Sequence, residues 1–262
     1  MPSRETLVRR RFFVEQFADG KARLAGEAAH HLGRVLRAER GQVYELSDGH
    51  SLCLAEVARV DRDSVDFRII APIAVREPAW RASLLLAVVK FDRFEWALEK
   101  AVELGAESIT PLAADRCEKG LLAAAPKRAA RWRRILLESA QQARCVRVPT
   151  LHPLMGARDA FASQLNLERA NLGILLSERS GAAPVRQVLS ESAGQIARLR
   201  EAPATCGLEI SLAVGPEGGW TDGEFEAALT AGFREAALGG NILRTETAVA
   251  AGLAAAHLYF DP

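Results

Sequence analysis

Long apolar runs are missing from this chain. No stretch of its 262 residues approaches the roughly 20 apolar residues that span a bilayer, although 49% of the residues are hydrophobic. A membrane-spanning role is therefore not expected, while a substantial core is. Cysteine is sparse: Cys53, Cys117, Cys145 and Cys206 stand apart with no CxxC pair. That spacing gives neither a zinc signature nor a disulfide framework, and the four read as reduced thiols. An excess of one charge is also lacking. The net charge of +1 argues against a generally cationic nucleic-acid binder. Neither a GxGxxG fingerprint nor a Walker loop is present, which disfavours a nucleotide-dependent dehydrogenase. There is no internal repeat, and low complexity is limited to alanine-rich patches. Met1–Arg11 carries four arginines with no apolar segment behind them, unlike a secretory leader. A cytoplasmic location is the expectation.

What is present is unevenly distributed. Residues 1–40 hold nine Lys/Arg against five Asp/Glu, a balance of +4. Residues 127–147 hold seven against Glu138 alone, a balance of +6, whereas residues 148–262 hold eight against thirteen, a balance of −5. Two basic zones on a near-neutral chain suggest local phosphate contacts. A solvated helix face is the plainer explanation of either zone taken alone. Arginine supplies 29 of the 34 cations, and its planar fork suits phosphates and base edges.

The rhythm of the chain changes near Trp80. Before it, Arg11–Val14, Lys21–Leu24, Gln42–Leu46, Leu52–Val60 and Ser64–Ile70 read as short strands around a helix, Glu27–Arg37. Such spacing suggests a small barrel. Pro72 and Pro78 bracket a linker. After it, Ser83–Val89 reads as a strand buried on both faces. Phe91–Leu104 has helical spacing and ends at Gly105. Strands at Ser108–Leu112, Asn171–Leu176 and Leu208–Val214 alternate with helices at Lys127–Arg144, Asp222–Ala231 and Glu246–Tyr259. That alternation implies a mainly parallel α/β sheet covered on both sides. The division expected is a barrel over 1–72, a linker over 73–80 and an α/β domain over 81–262.

Two segments concentrate the chemistry. In Val214-Gly215-Pro216-Glu217-Gly218-Gly219-Trp220-Thr221-Asp222, an apolar strand runs into a Gly/Pro-dense turn and then a helix. Thr221 and Glu224 have capping-box spacing there. Glycines at a strand's carboxyl end let backbone approach a ligand, although an ordinary tight turn has the same composition. In Leu238-Gly239-Gly240-Asn241-Ile242-Leu243-Arg244-Thr245-Glu246-Thr247, a second glycine turn precedes an apolar helix, with Thr245 or Thr247 as its candidate cap. Two such turns at successive strand ends suit two walls of one pocket.

The stretch "LAVGPEGGWTDGEF…LGGNILRTETAVAAGLAA" resembles the signature of the RsmE family, the 16S ribosomal RNA (uracil-N3)-methyltransferases. Lys90-Phe91-Asp92-Arg93 through Gly105 and Ile109–Leu112 are similar to that family's first strand–helix–strand unit. His31-Leu32-Gly33-Arg34-Val35-Leu36-Arg37 resembles its "H..RVLR" element, and Arg11–Val14 its opening strand. The resemblance implies a PUA-like RNA-binding β-barrel followed by a SPOUT trefoil-knot methyltransferase domain, acting as a cytoplasmic homodimer on 16S rRNA, within the small ribosomal subunit. It implies S-adenosylmethionine as cofactor, held by Ser177 and Glu178, by Gly215, Pro216, Glu217, Gly218 and Gly219, and by Leu238, Gly239, Ile242 and Leu243. The sulfonium is already activated, so no metal is expected. Uridine N3 carries a proton that must leave. Glu246 is the candidate base or orienting carboxylate and Arg244 the candidate electrostatic stabiliser; a structural ion pair between the two is the alternative. Arg11, His31, Arg34 and Arg37 are candidates for the barrel's RNA face, and Arg131, Arg133, Arg134, Arg144 and Arg147 for phosphate contacts. Gln141, Ala143, Cys145 and Asn241 depart from the family's usual residues. A methyltransferase acting on a 2′-O-ribose position is the alternative function, and a non-catalytic ribosome-assembly protein a further one.

Overall fold

The computed structural model describes residues 7–164, 171–200 and 208–260; Cys206 lies outside them. The chain forms two compact units. One comprises the segment ending at Glu77 together with Glu138–Val148, and the other comprises Pro78–Leu137 and the segment from Pro149 onward.

The first unit is a five-stranded sheet. Its strands are β1 (Leu7–Phe13), β2 (Lys21–Ala25), β3 (Val43–Ser47), β4 (Leu52–Val60) and β5 (Ser64–Ile73), in the order β1-β3-β4-β5-β2. β1 and β3 run parallel and the other pairs antiparallel. The result is a PUA-like half-barrel with β1 and β2 as its edges. Alternation decides the core: Ala22 and Leu24 of β2 turn inward to join Phe12, Tyr44, Leu46, Val57 and Phe67. Tyr44 sits edge-on to Phe12 at 5.6 Å between ring centres, a geometry the ring quadrupoles favour. All five residues of β3 are buried, because its other face is covered too. There Ser47 Oγ donates to the carbonyl of Val146 at 2.5 Å. The single helix expected over Glu27–Arg37 is two pieces, α1 (Gly26–His30) and a wider π-helical turn over His31–Val35, stopped where Arg37 takes φ +51°.

The second unit is a parallel sheet. Its strands are β6 (Trp80–Ala87), β7 (Ala106–Ala113), β8 (Thr150–Leu151), β9 (Met155–Gly156), β10 (Asn171–Leu176), β11 (Leu208–Val214) and β12 (Arg234–Ala236). The order is β12-β10-β11-β6-β7-β8, with β9 also on β7. Its helices are α2 (Phe91–Glu103), α3 (Lys119–Gln142), α4 (Ala157–Ser163), α5 (Val185–Arg200), α6 (Asp222–Thr230) and α7 (Thr245–Phe260). The last turn of α3 belongs to the first unit. α3 begins eight residues before the expected Lys127 and carries Pro126 inside it. β6 lies between β11 and β7, and Leu84, Leu85 and Leu86 are essentially fully buried. Each such side chain contributes roughly 1.5–3 kcal/mol.

Period two sends neighbouring residues of β11 to opposite faces. Ala213 joins Phe161 of α4 and Ala228 of α6. Leu212 meets α7 so closely that a Cβ on Gly252 would lie 2.8 Å from its Cδ2. Gly105, with φ +74°, ends the turn after α2. No helix among the described residues is long and apolar enough to cross a membrane.

The C-terminal segment does not simply continue from the sheet edge. After β12, Ala237 donates its backbone N–H to Ala183 and accepts from Val185. Eight residues later Thr245 lies against Gly215, at the end of β11. α7 then packs against α2, α5 and β11. This return brings the C-terminal segment back to the carboxyl end of β11.

Candidate functional site

Three loops leave the carboxyl ends of β10, β11 and β12 and enclose one cleft of about 500 Å³. That is the size and position of a small-molecule site in a parallel sheet. All eleven positions expected around the cofactor line it: Ser177, Glu178, Gly215, Pro216, Glu217, Gly218, Gly219, Leu238, Gly239, Ile242 and Leu243. Arg244 lines it as well, together with Leu176, Val214 and Ala248, which supply apolar wall.

Local chemistry shapes each loop. Gly215 packs closely under Trp220: an added Cβ would lie 3.0 Å from the indole Cε2. The indole N–H donates to the carbonyl of Leu176 at 3.0 Å, so this ring ties the β11 loop to the end of β10. Gly219 takes φ +68° and donates its N–H to Pro216 at 2.8 Å, closing the turn. The loop then runs into α6 through the expected capping box. Thr221 Oγ1 accepts from the N–H of Glu224, and Glu224 accepts from the N–H of Thr221 at 3.0 Å. Thr245 does not use its hydroxyl as a helix cap; it donates to the carbonyl of Gly215 at 3.1 Å.

The outer rim is charged. Arg93 pairs with Glu217 at 2.6 Å, and Arg179 pairs with Asp222 at 2.7 Å while lying over the Phe225 ring. Arg116 donates to the carbonyl of Gly218 at 2.6 Å. Beside it, Asp115 receives Arg158 and Thr221, whose hydrogen bonds hold its carboxyl below the usual range.

Glu246 stands one residue inside α7 and is not part of the cleft lining. Its Oε2 is buried and meets no hydrogen-bond partner among the described residues. No ion pair links it to Arg244 among the pairs of the described residues, and Arg244 is exposed. A buried acceptor without a donor is rare enough in folded proteins to mark a position for function.

The basic positions separate into different kinds. Arg34 and Arg37 are exposed on and beside the π-helical turn. His31 is half-buried, with its Nε2 enclosed and unpartnered among the described residues. Arg11 is not on an open face. It is 6% exposed and pairs with Glu45 at 2.8 Å. Leaving a buried arginine without its carboxylate is strongly destabilising, so the guanidinium of Arg11 is engaged within the first unit and not on an open face. Arg144 also reaches Glu45, which claims its guanidinium. Arg147 donates to the carbonyl of Gly49 at 2.7 Å. Arg131 binds Glu95 of α2 at 2.7 Å while remaining largely exposed. Arg133 and Arg134 are exposed on α3.

Sequence reasoning misses Arg116, because a lone arginine in a loop after a strand carries no pattern. Arg93 falls within a family-like segment, but nothing in that segment points to its partner. Burial pushes the Cys53 thiol up to about 11 and raises Cys117 and Cys145, the last against the charge of Arg11.

The fold and cleft define a parallel α/β domain with a ligand site at its strand ends, in a chain that also carries a PUA-like sheet. Comparison with known proteins agrees. The family described as RNA methyltransferase domain matches residues 76–257, and the RNA methyltransferase PUA domain matches residues 24–70. The chain belongs to this RNA methyltransferase family. It is 28% identical to the ribosomal RNA small subunit methyltransferase E of Synechocystis, over 92% of this chain and 74% of that one. It is 29% identical to the protein of the same name from Mycobacterium bovis, over 93% and 89%. Among solved structures, that of the Neisseria gonorrhoeae ribosomal RNA small subunit methyltransferase E bound to S-adenosylmethionine superposes with a TM-score of 0.78. That alignment has 28% identity and covers 95% of this chain and 97% of the other.

Proposed function

We propose that this protein transfers a methyl group from S-adenosylmethionine to N3 of a uridine in 16S rRNA of the small ribosomal subunit. The observation that carries the reading is the convergence of three loops, from β10, β11 and β12, on one cleft. Its residues fit the cofactor: apolar wall from Leu176, Val214 and Leu238 stands beside loops rich in backbone donors and acceptors. When bound, the cofactor supplies a methyl on a sulfonium, which needs no metal for activation.

The protein's part is to orient and to move a proton. Ser177, Glu178, Gly215–Gly219 and Leu238–Leu243 hold the cofactor, with the Trp220 indole keeping the first two loops together. Arg244, exposed at the cleft wall, stabilises negative charge on the uracil ring as the N3–H bond breaks. Glu246 takes that proton or orients the ring, the role its unpartnered Oε2 supports. The new bond is N3–CH3, and the sulfonium leaves as a neutral thioether. Arg34, Arg37 and His31 of the first unit, with Arg131, Arg133 and Arg134 of α3, engage the RNA. The exposed Ile242, at 79%, and Leu258, at 87%, suit burial against a second copy. A cytoplasmic homodimer is part of this reading.

The test is incubation with labelled S-adenosylmethionine and small ribosomal subunits from a host lacking the modification, followed by nucleoside analysis. Label in 3-methyluridine at one site is expected. Label on a ribose 2′-oxygen keeps the methyltransferase and overturns the uracil-N3 assignment. The assignment of Glu246 as base is overturned if E246Q turns over at the wild-type rate.

A further inference from the structure

We infer that Asp115 and Arg116, adjacent residues after β7, are positioning residues that grip the middle and the far end of the β11 loop and preset it for the cofactor. This rests on the reading of the cleft as a cofactor site.

The loop needs such a grip. Gly218 and Gly219 have no side chains to pack, and glycine loses more conformational freedom than any other residue when it is ordered. The hydrogen bond from Gly219 to Pro216 closes the turn without fixing it to the rest of the unit. Arg116 attaches Gly218 itself in two ways. Its guanidinium donates to the carbonyl of Gly218 at 2.6 Å. Its Cβ and Cδ also pack at 3.4 Å from where a Cβ of Gly218 would stand. One residue earlier, Asp115 holds the far end of the loop. Its N–H donates to Glu224 at 2.8 Å, and its carboxylate accepts from Thr221 Oγ1 at 2.9 Å. Arg158 steadies that carboxylate at 2.7 Å.

The loop is thus spanned from Gly218 to Glu224 by two consecutive residues about 100 positions earlier in the chain. Arg93 and Glu217 form another exposed contact, and Trp220 and Thr245 hold the loop elsewhere, so Arg116 is the attachment made at Gly218 itself. A loop already held in its bound shape does not have to be ordered when ligand arrives. The effect should therefore appear in cofactor affinity rather than in RNA affinity.

The experiment compares wild type, R116M and R116K in the full chain. R116M keeps the packing stem and removes the donor; R116K restores one donor. Titration with S-adenosylmethionine and steady-state kinetics on small subunits give separate cofactor and RNA constants. A rise of about tenfold in Kd and KM for S-adenosylmethionine in R116M is expected from the loss of a charge-assisted hydrogen bond. The KM for RNA and the Tm should stay near wild type, and R116K should recover part of the affinity. Wild-type cofactor affinity in R116M overturns the proposal, as does a parallel rise in both KM values with a fallen Tm. A wild-type protein that binds no S-adenosylmethionine overturns the cofactor reading itself, and that outcome is read on a different sample.

Discussion

Thr245 Oγ1 donates to the carbonyl of Gly215 at 3.1 Å, joining residues 30 positions apart in the wall of the cleft. Gly215 follows β11 and Thr245 begins α7, so one hydroxyl ties the β11 loop to the returning C-terminal segment. Thr245 is buried, and valine matches its shape without the donor. T245V should cost about 1 kcal/mol, lowering Tm slightly and weakening S-adenosylmethionine binding about fivefold. T245S should remain close to wild type. Thermal melting and cofactor titration check both.

Gly215 has a second neighbour in Trp220. An alanine there places its Cβ 3.0 Å from the indole, and the ring must move away from the carbonyl of Leu176. G215A should destabilise the protein by about 1–3 kcal/mol, the usual range for overpacking, and weaken cofactor binding further. Gly240, which has open space around it, is the control: G240A should leave Tm almost unchanged.

Glu45 accepts from both Arg11 and Arg144. Burial pushes its carboxyl up, but the two guanidiniums outweigh burial, and the net position is below the ordinary value. A group whose folded pKa is depressed stabilises fully above its unfolded value, about 4.3. That stabilisation is lost as pH falls through the lower folded value. Unfolding followed from pH 7 to pH 3 should show stability falling below about pH 4.3, and less steeply in E45Q. At neutral pH, E45Q should cost about 3 kcal/mol, because it leaves Arg11 buried without its anion.

The arginines of the first unit should separate by salt dependence. Replacing Arg34 and Arg37 with alanine should leave Tm unchanged and reduce the salt slope of RNA binding by about 0.7–0.9 for each phosphate that is no longer neutralised. R11A should instead lower Tm. An unaltered salt slope in the double variant would remove these two from the RNA face.

Much of the scaffold is legible in the sequence because its signals are local. The apolar run Ser83–Val89 reads as a doubly buried strand, and in the structure β6 lies between β11 and β7. Gly105 stops α2, and Thr221 with Glu224 forms the capping box that the spacing announces. The start of α3 is not legible in this way. A basic run marks a solvated face and not a helix boundary, and Pro126 is accommodated within the helix. The change of helix type at His31 is also hidden, since α- and π-helical turns place apolar residues in nearly the same pattern.

Sequence alone determined the types of the longer strands and helices, the two glycine loops and their place at strand ends. Backbone preference, side-chain period and turn chemistry act over a few residues and are written in composition and spacing. Tertiary structure alone decided that Thr245 reaches Gly215 rather than capping its helix, and that Arg11 is bound to Glu45. It alone brought Arg116 to Gly218, 102 residues away. Each of these depends on which distant donors and acceptors the chain's path brings within about 3 Å. A hydroxyl or guanidinium carries no mark in the sequence of the partner it will find.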